Sequence, residues 1–170
     1  MPLTPNSFYI ALYIRTDLPI PDNFHWALYL HYDETGKKYH ITNESTGWMA
    51  RHAPESAILK SFLLVGLIRI ADFPPPSSSS SSPQSVLNEV DQLIRSYDDR
   101  VNEIGVTCRT WLLEVLELLR KNGLLCGGKD LDLGVLEREV MDWGNEEAGD
   151  AVRNVQPRPV GVSKVCGFAI

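Results

Sequence analysis

The segment from Pro74 to Pro83, PPPSSSSSSP, constrains this chain most, because a serine run framed by prolines can neither bury apolar surface nor sustain a backbone ladder. It separates a half with strand periodicity from a half with helix periodicity. Strands first and helices afterwards predict an α+β fold, an N-terminal antiparallel sheet packed against C-terminal helices. With 170 residues, 44% of them hydrophobic, the chain can build one core. A single domain over 1–170 is expected, with 74–83 as a flexible loop inside it.

Strand one is predicted over Ser7 to Arg15, where Phe8, Ile10, Leu12 and Ile14 share one parity. Phe24 to Tyr32, then Asp33-Glu34-Thr35-Gly36, then Lys37 to Thr42 have the pattern of a hairpin closed by a glycine-containing turn. Ser61 to Phe73 supplies a fourth strand. Beyond the serine run, Val86, Val90, Leu93 and Ile94 recur at helical spacing. A second helix opens near Thr107 and ends at Gly123, with Arg120 and Lys121 suiting its last turn. A third spans Leu131 to Trp143, and the tail holding Pro157 and Pro159 is read as extended, an added edge strand.

A net charge of −6 and a pI near 5.2 leave no broad basic surface, so nucleic acid is not an expected partner. Cys108, Cys126 and Cys166 are too sparse for a disulfide framework and lack metal-ligand spacing. Reduced thiols and a cytoplasmic location follow as expectations, with no metal and no cofactor. The longest apolar stretch, Phe62 to Ile68, is far short of a membrane span, so no membrane anchor is expected. The acidic residues between Glu139 and Asp150 lack a calcium-loop pattern and read as a solvated helix face.

Chemistry concentrates at Cys108. Thr107 as N-cap places it in the first helical turn, where unpaired N–H groups and the helix dipole favour a thiolate and can hold an oxyanion. A base is still required, and His25 at the start of the second strand supplies one if that strand packs beside the helix start. His40, Asn43 and Glu44 are the candidates to orient it. Register decides: if the hairpin pairs residues whose numbers sum to an odd value, His25 and His40 share a face, and an even sum separates them. Trp26 is a candidate substrate-binding residue that, with Trp111, is expected to pack in the core near the site; Trp48, after Gly47, is either a loop anchor or a wall of the substrate pocket. Arg109 is a candidate for a substrate carboxylate or phosphate, with an ion pair to Glu103 or Asp98 as its structural alternative. His31 reads as a hairpin rim residue, His52 as solvated, Cys126 as a helix-exit residue and Cys166 as part of a terminal strand.

A His-Trp strand start, a hairpin to a second His, and a Cys opening a later apolar helix resemble the permuted papain-like superfamily. His25-Trp26-Ala27-Leu28-Tyr29-Leu30 is similar to the corresponding strand of its lecithin retinol acyltransferase branch, and the desumoylating peptidase branch shares the His-then-Cys order. The resemblance implies His25 as base, His40 as its orienter and Cys108 as the nucleophile of a thioester intermediate. Thr107-Cys108-Arg109-Thr110-Trp111 departs from that branch's Asn-Cys-Glu-His-Phe. Gly105-Val106-Thr107-Cys108-Arg109-Thr110-Trp111 is closer to small fungal proteins of uncharacterised activity, some of which accompany secondary-metabolite biosynthesis.

The expected function is therefore cysteine-dependent acyl transfer or hydrolysis on an ester, thioester or amide, with a small-molecule or acyl substrate. The rival is a non-catalytic module of the same fold that binds a protein or metabolite. Trp111, Leu112, Val115 and Leu116 follow Cys108 at i+3, i+4, i+7 and i+8, so its side chain equally suits a buried stripe.

Overall fold

A computed structural model describes residues 2–74, 82–103, 105–126 and 131–167. The strands are β1 (Ser7–Ile14), β2 (Phe24–Tyr32), β3 (Thr35–Tyr39), β4 (Ile41–Glu44), β5 (Gly47–Ala50), β6 (Ala53–Pro54), β7 (Leu64–Asp72) and β8 (Val160–Val162). The helices are α1 (Pro83–Arg95), α2 (Cys108–Lys121) and α3 (Leu133–Val152). Most of the serine run lies outside the described residues. Its last proline is no longer loop, because Pro83 occupies the first turn of α1, where a missing N–H costs nothing.

The architecture is α+β, and the sheet is mixed rather than antiparallel. Its order is β6-β3-β2-β1-β7-β8, with every pairing antiparallel except β7 with β8. The parity read in β1 holds: Phe8, Ile10, Leu12 and Ile14 are buried with Phe24, Trp26, Leu28 and Leu30 of β2 against the helices. On that face α2 packs over β2, and α3 over β1 and β7. The other face buries Tyr9, Ala11, Ala27 and Tyr29 under Ile58, Leu59 and Leu3. Among the described residues no helix is long and apolar enough to cross a membrane.

The hairpin closes more tightly than expected. Tyr32 pairs with Thr35, so the turn is Asp33 and Glu34 alone, with Asp33 at φ 50°, and Gly36 lies inside β3. A Cβ at Gly36 would sit 2.2 Å from Tyr29 Oη and 2.5 Å from the Leu30 carbonyl oxygen. Gly36→Ala is expected to cost about 1–3 kcal/mol as an overpacking change, read as a lower thermal midpoint. The predicted strand over Lys37 to Thr42 is broken at His40. Beyond it, β4 leaves the main sheet and pairs with β5 as a separate two-stranded unit.

The third helix runs nine residues beyond Trp143. Gly144, just past the expected end, stays helical and meets a packing requirement: its Cβ would lie 2.7 Å from Leu12 Cδ1. The tail does supply an edge strand, β8. Cys166 lies beyond β8 in a buried turn rather than in a strand, and Cys126 forms a bridge with Asp72.

Candidate active site

β2 alternates, so Phe24 and Trp26 face the helices while His25, Ala27 and Tyr29 face the other way. His25 pairs in register with Tyr13, which packs with the second-face cluster, and their rings lie 6.0 Å apart. The β2–β3 register pairs Leu28 with Tyr39 and His31 with Gly36, an odd sum that carries His25 and His40 to one face. The imidazoles meet there, His25 Nε2 to His40 Nδ1 at 2.8 Å. Of the three candidates to orient His25, the structure brings up His40. Asn43 pairs with Trp48 across β4–β5, and Glu44 is taken by Arg51 at 2.6 Å.

Both imidazoles are neutral at pH 7. Burial pulls His25 down to about 4, helped by the positive charges of Arg15 and Lys38. His40 falls to about 3, again chiefly through burial, with His25, Lys38 and His52 adding to it. A backbone hydrogen bond from Arg51 works against this fall at His40 without reversing it. Between two neutral rings, one nitrogen of the His25 Nε2–His40 Nδ1 contact carries the proton and the other accepts it.

Cys108 opens α2 as expected. Thr107 caps the helix, its Oγ1 accepting from Thr110 N–H while Thr107 N–H donates to Thr110 Oγ1 at 2.7 Å. The thiol, however, is 2% exposed and packs with Trp26, Trp111 and Leu112. Its polar contact is the Phe24 carbonyl oxygen at 4.0 Å, and no hydrogen bond joins it to His25 or His40 among the described residues. The proposed nucleophile and Trp26 thus belong to the helix face, and the proposed base and its orienter to the opposite face.

Beside Cys108 lies a cleft of ≈ 180 Å³ whose lining includes Arg15, Asn23, Trp26, Thr107 and Arg109. Asp22 also borders it and is held by paired hydrogen bonds to Asn145 of α3 at 2.9 and 2.8 Å. Arg109 pairs with neither Glu103 nor Asp98. Its Nε lies 3.1 Å from Glu137 Oε1, while Glu103 is taken by Arg100 and Asp98 by His52. Arg15 has no ion pair among the described residues. Trp48 is not part of this cleft: its N–H donates to Asn102 Oδ1 and its carbonyl accepts from Asn102 Nδ2.

His52 is the residue that sequence reasoning misplaced. Instead of standing in solvent, its side chain is 1% exposed and stacks on Trp111 at 5.7 Å. Its Nδ1 accepts from His40 N–H at 3.2 Å, which puts the ring proton on Nε2, 2.9 Å from Asp98 Oδ1. Burial holds its pKa below the ordinary value despite Asp98. Both nitrogens are engaged, so His52 is a tie between the β3–β4 bend and the turn before α2. No local motif carries this signal, since 46 residues separate His52 from Asp98. His31 is a half-buried strand residue stacked on Tyr29.

Residues 6–153 match a family described as a family of unknown function (DUF6914). No curated protein and no solved structure matches the chain.

Proposed function

The chain belongs to this family of unknown function (DUF6914), which passes on no activity, and we propose that it is a non-catalytic binding module on a permuted papain-like scaffold. One observation carries the reading: Cys108 is buried against Phe24 and Trp26, while His25 projects from the opposite side of the same strand. A thiol in that position borders the cleft but has no imidazole within hydrogen-bond reach to deprotonate it. The cleft beside it combines an unpaired Arg15, the Asn23 amide and the wall of Trp26, which suits a small metabolite with an acidic or carbonyl group.

A second reading keeps cysteine-dependent acyl transfer, with His25 as base and Cys108 as nucleophile. What favours it is the 2.8 Å contact of His25 with His40 and the neutrality of both rings, the state a general base requires. Intact-mass analysis after incubation with a short-chain p-nitrophenyl ester separates the two. The binding reading expects no acyl mass on Cys108. An adduct that disappears in both Cys108→Ser and His25→Ala would replace it with acyl transfer.

A further inference from the structure

The sheet has two ends, and they differ. At one, β6 is two residues long and ends in Pro54, which cannot donate to a further strand. At the other, β8 has no strand on its outer side among the described residues. Leu67 N–H donates to the Pro159 carbonyl and Ser163 N–H to the Arg69 carbonyl, so residues 159, 161 and 163 serve the ladder to β7. The N–H and C=O groups of Val160 and Val162 therefore point away from β7, and no backbone partner meets them among the described residues.

A groove of ≈ 320 Å³ runs along this edge between β8 and α3. Ile68 and Gly161 form its floor and Trp143 its wall. Gly161 lies close under the indole: a Cβ there would stand 3.3 Å from Trp143 Nε1, so the ring would have to give by a few tenths of an ångström. The rim is Glu139, Asp142 and Glu146, at i, i+3 and i+7 of one helix ridge, against the single ammonium of Lys164. Glu139 is engaged by Ser163 Oγ and Lys164 N–H, whereas Asp142 and Glu146 have no ion pair among the described residues.

We propose that the free edge of β8 docks an extended basic peptide segment of a partner protein, added as one more strand. Main-chain pairing to Val160 and Val162 holds the segment. Alternate side chains of an added strand point to the α3 side, where Lys or Arg lays its aliphatic stem across Trp143 and Gly161 and its charge beside Asp142 and Glu146. The net charge of −6 favours a cationic partner in the same sense. This surface is separate from the Cys108 cleft, so it stands whether or not Cys108 is reactive.

The test titrates the full chain with a fluorescein-labelled Lys-Val-Lys-Val-Lys-Val peptide and its Glu-Val-Glu-Val-Glu-Val counterpart, reading anisotropy and amide hydrogen exchange together. The expected result is saturable binding of the basic peptide alone, slowed exchange at Val160 and Val162, and at least tenfold weaker binding in D142K/E146K. Val162→Pro, which removes an outward donor, is expected to weaken binding with the carboxylates intact. Equal binding of both peptides, binding without protection at Val160 and Val162, or no binding at millimolar peptide would overturn the proposal. So would concentration-dependent protection of those amides in the absence of peptide, which would make the occupant a second copy of the chain.

Discussion

Acidifying from pH 7.5 to 5 is expected to remove several kcal/mol of folding stability, before the carboxylates begin to titrate. The cause is the set of buried histidines. His25, His40 and His52 are all held below the ordinary histidine value, so the native state stays neutral at these rings where the unfolded chain takes up protons. The unfolded state then binds more protons, and stability falls as pH drops. For His25 the loss begins near 6.5 and ends near its native value of about 4. By pH 5 it amounts to about 2 kcal/mol for that ring. Protonating His52 adds a second effect, because Nδ1 could no longer accept from His40 N–H. Urea midpoints at pH 7.5, 6 and 5 give the slope, and His25→Phe should flatten it. A midpoint independent of pH over this range would mean that the rings are solvated.

Arg158→Met is expected to be the most damaging single substitution outside the apolar core, costing about 3–5 kcal/mol. Arg158 is 4% exposed and has main-chain carbonyls as its hydrogen-bond partners. Its Nε donates to Leu64 O at 2.9 Å and its Nη2 to Val65 O at 2.5 Å, while Nη1 reaches Val155 O at 2.9 Å. One guanidinium thus fastens the start of β7 to the turn after α3. Methionine keeps the stem but strands the Leu64 and Val65 carbonyls in a dry environment. Lysine, with a single ammonium in place of the planar fork, should recover only part of the loss. Urea unfolding at constant m-value reads the difference, and a loss below 1 kcal/mol would contradict this role.

The parts of this fold that the sequence discloses are those governed by local periodicity. Alternation in β1 and β2, the Thr107 cap and the apolar stripe of α2 are each set within a few residues. Even the meeting of His25 with His40 reduces to the parity of one hairpin, which the two-residue turn at Asp33 and Glu34 resolves. What escapes is decided at a distance. The break at His40, the burial of His52 against Trp111 and the extension of α3 through Gly144 depend on elements 12 or more residues away.

One disagreement was nevertheless within reach of the sequence. Period-two alternation sends His25 and Trp26 to opposite faces, so the two could not both line one pocket with Cys108. The run Phe24, Trp26, Leu28 and Leu30 is the more apolar face and claims the helices.

The most direct measurement is the rate of iodoacetamide alkylation at each of the three cysteines, by peptide mass spectrometry across pH 6–9, in wild type and His25→Ala. Cys126, the more accessible thiol, serves as the internal reference. A binding module with a sealed Cys108 predicts that Cys126 reacts first at every pH, that Cys108 lags far behind, and that removing His25 does not slow it. Alkylation of Cys108 ahead of Cys126 at pH 6–7, lost in His25→Ala, would contradict that account and establish an activated thiol–imidazole pair.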